Sequence, residues 1–444
     1  LMEFNRGRYI ERLSGMRWNG LVKVITGARR AGKSYLLNNL FYRFLLQQGV
    51  SKNRIIRFAF DADEDIDGLE TFSQGEPVKI YNKKMGYLIN AKVFRRYLSS
   101  IINDSDQFYL FLDEVQFLQN FVGTLNSYLR HKNIDLYATG SNSKFLSVDV
   151  ATEFKGRSSQ VHVQPLTFLE YVQGTGKNVS EAWAEYIVSG GIPLVALMQD
   201  EQEQTEYLKN LAVETYLKDI IQRNAIRKKR ELSDTFDILA SVIGTLVNPT
   251  KIAKTFKSRG YGDIVPETIE RFISYFKDAF VISRAGKYNV KGRKYIDSPF
   301  KIYFEDIGVR NARLNFRQIE ETHIMENIIY NELRYRGFNV DVGEMDITED
   351  TGQKDKNGHA IFAPKSLEVD FIATLGSRKY YIQSALSLET PQKTQQEKKS
   401  LYHIDDSFKK ILVTRNGLKV MRDEKGVVTM DLFDFLMNLD SMDI

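Results

Sequence analysis

Along the first 165 positions, short apolar runs alternate with stretches whose apolar residues recur at helical spacing. Residues 21–26 (Leu-Val-Lys-Val-Ile-Thr) read as a buried strand, and 34–46 then carry Leu36, Leu37, Leu40 and Phe44 on one helical face. The alternation continues with a strand over 54–60, a helix over 93–102, a strand over 108–112, a helix over 121–129 and a strand over 134–139. Strand–helix alternation of this kind predicts an α/β fold with a parallel sheet covered on both faces.

Near Pro165 the rhythm changes. Residues 166–226 are mainly of helical period, broken by the turn composition Gly190-Gly191-Ile192-Pro193. The basic run Arg227-Lys228-Lys229-Arg230 reads as a linker. Helices follow within 232–255, with Asn248-Pro249-Thr250 marking a stop and a restart, and over 266–276, where Ile269, Phe272, Ile273 and Phe276 share a face. Alternating segments at 279–284 and 293–304 complete three short helices followed by a β-hairpin, the order of a winged helix. From Arg317 onward, a helix at 324–336 and strands at 367–374, 379–384 and 410–414 predict a small α/β domain. The expected partition is 1–164, 165–230, 231–316 and 317–444.

Composition narrows the reading. The chain has 444 residues, 43% hydrophobic and 27% charged, so several cores can be filled and disorder over most of the length is excluded. Lys and Arg number 62 against 57 Asp and Glu, a net charge of only +5. That suits local contact with a polyanion but not a histone-like polycation. There is no cysteine, which excludes disulfides, thiolate metal sites and cysteine nucleophiles and fits a reducing compartment. No apolar run is long enough to span a bilayer. The expectation is a soluble cytoplasmic protein.

Gly27-Ala28-Arg29-Arg30-Ala31-Gly32-Lys33-Ser34 matches G-x-x-x-x-G-K-[ST] completely, with a strand before it and a helix after it. Such a loop turns successive N–H groups toward phosphates at the positive end of a helix. Residues Gly27 to Ser34, with the adjoining Tyr35, are the expected nucleotide contacts. Lys33 sets a charge against the β- and γ-phosphates, and Ser34 offers a hydroxyl to magnesium. The strand 108–112 delivers Asp113 and Glu114 at its C-terminal end, where a parallel sheet places its ligands. Asp113 is the expected second magnesium residue, and Glu114 the base that takes a proton from an attacking water. The next strand ends in Thr139-Gly140-Ser141-Asn142-Ser143, where Ser141 or Asn142 is a candidate to orient that water. Arg157 is a candidate arginine finger, acting in its own subunit or on a neighbour's nucleotide.

Together with Leu112-Asp113-Glu114-Val115-Gln116 and Thr139 to Ser143, the loop resembles that of a family of prokaryotic AAA-type ATPases. The family lies within the archaeal-type and STAND-like P-loop ATPases. Gly156-Arg157, Pro165 to Glu170, Gly190 to Pro193, Tyr303 to Gly308 and the stretch Glu326 to Leu333 are similar to its other marks. The resemblance implies a P-loop ATPase core using ATP and Mg2+, a helical lid, a winged helix and a restriction-endonuclease-like terminal domain.

Two further expectations concern those last domains. In the winged helix, Thr268, Arg271, Ser274, Tyr275 and Lys277 lie outward or at the boundary of the third helix. Arg284, Lys287, Lys291, Arg293 and Lys294 make the hairpin basic, and Lys251, Lys254, Lys257 and Arg259 adjoin it. Such charges suit a phosphate backbone, hence DNA, without reading its sequence. In the terminal domain, nucleases of the PD-(D/E)xK type set an Asp on one strand against an acid and a lysine two residues apart on the next. Asp370 fits, and Glu326 can supply a helix acid, but Gln383 and Ala385 stand where the second acid and the lysine belong. A neutral amide is a poor ligand for a hard cation. The expected function is an ATP-hydrolysing switch on DNA, coupled to a winged helix and an inactive nuclease-like domain. The alternative is a nucleotide-gated scaffold for a protein partner or a homo-oligomer, with little hydrolysis.

Overall fold

The computed structural model describes residues 3–83, 85–140, 154, 156–261, 264–354, 356, 358–415 and 417–444. The N-terminal body holds β1 (Val22–Thr26), β2 (Ile55–Ala59), the hairpin β3 (Lys79–Asn82) and β4 (Gly86–Ile89), β5 (Phe108–Asp113), β6 (Ile134–Thr139) and β7 (Ser158–His162). Among the described residues, five of these form one parallel sheet in the order β2-β5-β6-β1-β7. Its faces bury two separate cores. One gathers Val22, Val24, Phe58, Leu110, Leu112 and Leu136. The other packs Ile25, Phe111 and Tyr137 against Leu36, Leu37, Leu40 and Phe41 of the first crossover helix. Burial on both faces is why β1, β5 and β6 are inaccessible at every position and read as continuous apolar runs. β7 escapes that reading because it is an edge strand with the polar start Ser-Ser-Gln.

Helices then cover 168–223. Phe168–Thr175 opens with a capping box in which Thr167 accepts from the Glu170 amide and Glu170 accepts from the Thr167 amide. Asn178 and Asp200 cap the next two long helices in the same sense. The turn at Gly190-Gly191 is demanded by close approach: a Cβ on Gly191 would sit 2.3 Å from the Leu166 carbonyl oxygen. Its Gly191 amide donates to Asp306 at 2.7 Å, which ties together two segments 115 residues apart.

The remainder is one long sheet. Helices Lys229–Ser241, Pro249–Ser258 and Pro266–Asp278 precede the hairpin of β9 (Ile282–Asn289) and β10 (Lys294–Phe304), with β8 (Leu246–Val247) paired to β10. After the buried helix Glu321–Tyr335 come β11 (Asn339–Lys354), β12 (Ala360–Leu375), β13 (Arg378–Ala385), β14 (Lys409–Thr414), β15 (Met421–Arg422) and β16 (Val427–Asp431). Among the described residues these give the order β15-β16-β14-β13-β12-β11-β9-β10-β8. The parallel pairing of β9 with β11 carries this sheet across residue 316. Lys229 and Arg230, expected in a linker, begin a helix instead. Thr268, expected outward or at the boundary of its helix, is buried.

Candidate functional site

β1 ends at Thr26, and the chain curls at once into the loop. Gly27 has φ 141°, and a Cβ there would lie 2.1 Å from the Val163 carbonyl oxygen, so only glycine lets the loop leave the sheet. Gly32 caps the following helix at φ 91°, and Arg30 shares that left-handed conformation. Lys33 starts the helix with its side chain folded back over the loop, its Nζ donating to the Gly27 and Ala28 carbonyls at 3.0 and 2.8 Å. Burial brings its pKa down to about 8, against the opposing pull of Glu114 and Asp113.

Because β6 lies between β1 and β5, its last residue stands between the loop and the acids. The Thr139 hydroxyl donates to Asp113 and accepts from the Glu114 amide at 3.2 Å. Asn38 donates to the other Asp113 oxygen at 3.2 Å, and the Ser34 hydroxyl lies near enough to the same carboxylate to favour its charged form. Burial raises the Asp113 pKa, and the Thr139 and Ser34 hydroxyls work against that. Ser34 itself is exposed. An accessible hydroxyl beside a mostly buried carboxylate offers two hard oxygen donors, which fits a magnesium ion. Glu114 sits at φ 52° beyond the strand end and receives a bond from the Gln116 amide group.

The loop and Glu114 open on a cavity of about 1020 Å3, whose walls also include Tyr35. Three further contributions come from outside the motifs. Asp61, two residues beyond β2, adds a third carboxylate; loss of water and the charges of Glu114 and Asp113 raise its pKa. The turn at Gly190-Gly191 leads into Pro193, Leu194 and Leu197, which give the cavity an apolar wall. The helical segments Leu211–Leu217 and Lys218–Arg223 reach the loop directly: the Tyr216 hydroxyl donates to the Arg29 carbonyl at 2.9 Å. Asp219 there holds Arg29 at 3.0 Å and Arg223 at 2.9 Å. Arg223 is a cavity-facing cation that no local pattern marks.

Other expected residues fall elsewhere. Ser141 and Asn142 lie outside the described residues. Arg157 immediately precedes β7 at the end of the sheet opposite the loop, its carbonyl accepting from the Val22 amide. The strand's length separates it from its own chain's loop. In the hairpin, Lys291, Arg293 and Lys294 are exposed, as is Arg271 on the preceding helix. Lys287 is a correction: it is buried and paired with Glu344 of β11, because the hairpin's outer edge is covered by the terminal strands. Arg284 stacks on Phe300 with its guanidinium 3.6 Å from the ring centre. In the terminal region, β12 and β13 pair as expected, with Gln383 accepting from the Asp370 amide at 3.3 Å.

Residues 19–172 match a family model described as an AAA domain, and 180–320 match a domain of unknown function, DUF8612. The chain is 30% identical over 420 residues to an uncharacterized protein of Haemophilus influenzae, covering 92% of this chain and 93% of the other. The chain belongs to the family of that protein and carries an AAA domain. A second relative in this family's range, an uncharacterized protein of Methanocaldococcus jannaschii, is 29% identical over 332 residues, 71% of this chain and 67% of its own length. Among solved structures, the Walker-type ATPase of Pyrococcus abyssi aligns with a TM-score of 0.49 at 16% identity, over 70% of this chain and 96% of its own. The AAA domain thus contains the loop, the acidic strand end and Thr139, whereas Asp219 and Arg223 belong to the segment that follows it. Among the described residues no helix is long and apolar enough to cross a membrane.

Proposed function

We propose that this protein binds ATP in the cavity beside Gly27–Tyr35 and hydrolyses it. The observation that carries the reading is that the loop, with its exposed Ser34, and Glu114 line one cavity, with the buried Asp113 carboxylate directly behind them. Ser34 and Asp113 would hold magnesium, which when bound neutralises charge on the β- and γ-phosphate oxygens. The loop amides and the helix end receive the phosphates, and Lys33 exchanges its carbonyl partners for phosphate oxygens. Glu114 takes the proton of the attacking water. Arg29 and Arg223 are close enough to the loop to meet developing charge once Asp219 releases them.

Nucleotide state reaches the rest of the chain by two short routes. Thr26, immediately before the loop, contacts His162 at 3.3 Å, and His162 contacts Glu305 at 3.2 Å, which Arg334 holds at 2.6 Å. Pro193 at the cavity wall continues the turn held by Asp306. Both routes end on the sheet that includes the hairpin. The order of helices and hairpin supports a winged helix, and the exposed Arg271, Lys291, Arg293 and Lys294 support contact with DNA phosphates. Phosphate release measured for the wild type, Glu114→Gln and Lys33→Ala tests the central claim. Loss in both variants is the expected result, and equal rates in all three would end it.

A further inference from the structure

Lys301, on the hairpin strand β10, is only 3% exposed, yet its ammonium lies among three carboxylates from other elements. Nζ is 2.9 Å from Glu326 Oε1 on the helix Glu321–Tyr335, 2.7 Å from Glu368 Oε1 and 3.9 Å from Asp370 Oδ1 on β12. The Tyr303 hydroxyl donates to Glu326 at 2.6 Å, and the Ser384 amide and hydroxyl donate to the other Asp370 oxygen at 2.8 and 2.7 Å. Glu326 and Asp370 are thus held by donors of their own, and the Lys301 ammonium lies between them and Glu368.

Burial alone would lower the Lys301 pKa, but Glu326, Asp370 and Glu368 more than reverse that, so the lysine stays charged. Two buried carboxylates and a partly exposed third around one positive charge put on a lysine the neutralising role that a hard divalent ion plays among carboxylates. Here the chain supplies the cation itself. We infer that Lys301 is a built-in substitute for a divalent cation in the Glu326–Glu368–Asp370 centre. It closes that centre to metal and fastens the hairpin to the terminal strands. Gln383 and Ala385 then have a physical reason to be neutral, because one lysine is all the positive charge the pocket admits and no metal needs a fourth ligand. The inference does not depend on what the loop at Gly27 binds.

The test is manganese uptake by the full chain without nucleotide, read by electron paramagnetic resonance and by thermal unfolding. Wild type and Asp370→Asn are expected to take up equal amounts, because the ammonium already fills the centre. Lys301→Ala is expected to melt lower than wild type and to regain part of that loss in millimolar manganese. Adding Asp370→Asn to that variant is expected to abolish the recovery. Wild-type uptake that Asp370→Asn removes would overturn the proposal, as would a Lys301→Ala protein whose Tm ignores manganese. If Lys301→Ala does not fold, Lys301→Gln keeps the packed stem and carries the same two outcomes. The wild-type comparison stands in either case.

Discussion

The two carboxylate clusters of this molecule differ in where each keeps its lysine. At the N-terminal sheet, Lys33 turns away from Asp113 and Glu114 and spends its donors on two loop carbonyls. The acids are left beside an exposed serine and a large cavity. At the C-terminal sheet, Lys301 points straight into Glu326, Glu368 and Asp370. The first cluster is a site with unmet capacity for cations and anions; the second is neutralised from within. Sheet-end acids alone therefore do not make a catalytic centre. What decides is whether the nearest cation is already used.

Glu114→Gln should break this contrast most visibly. It removes the base while leaving loop and cavity intact, so ATP turnover should fall by about 10²–10⁴-fold with nucleotide binding retained. Paired phosphate-release and binding measurements check it, and turnover unchanged would mean the first cluster is as closed as the second. Next come the two lysines, compared by chemical denaturation. Lys301→Ala leaves the buried Glu326 and Asp370 without their cation and should cost about 3–5 kcal/mol. Lys33→Ala strands only two loop carbonyls and should cost about 1 kcal/mol. Equal costs would mean the ammonium at 301 is not what holds its cluster.

How much of this is legible along the chain depends on distance in sequence. The loop and Asp113–Glu114 are readable because each sits at the end of a fully buried strand within a few residues of its context. Lys301 is invisible as a partner of Asp370, since 69 positions and two other strands separate them and only the sheet crossing at β9–β11 joins them. Gln383 and Ala385 are read correctly as lacking charge, but the reason lies in that remote lysine. Arg223 and Asp219 sit in a helix whose local pattern says only that it is amphipathic. β11 hides for another reason: acidic residues alternate with the buried Val342, Met345 and Ile347, so Asp341 to Asp350 reads as an acidic segment although it pairs along most of its length with β12.

Asp219 sharpens the comparison from the other side, because it is the residue that occupies the first site's spare arginines. It holds Arg29 and Arg223 together at partly exposed positions, where an ion pair is worth about 0.2–1 kcal/mol. Asp219→Asn should release both toward phosphate and tighten ATP binding by up to about fivefold, measured by calorimetry. Weaker binding would assign Asp219 to positioning the arginines instead.

The smallest effect is a proton. In the free protein burial holds Lys33 at a pKa of about 8, whereas an unfolded lysine titrates near about 10.4. Between those values the unfolded chain binds more protons, so this group makes the free protein gain stability as pH rises. A bound triphosphate reverses the environment: it adds negative charge to the ammonium and drives the pKa back up. Binding at about pH 8.5 should therefore take up a substantial fraction of a proton, and at about pH 6.5 almost none, because Lys33 is already charged. The binding enthalpy should then depend on the ionisation heat of the buffer at the higher pH only. Lys33→Met should erase the difference without altering the folded sheet. Lys301 offers the control, since its acids keep it charged throughout this range and it contributes no uptake.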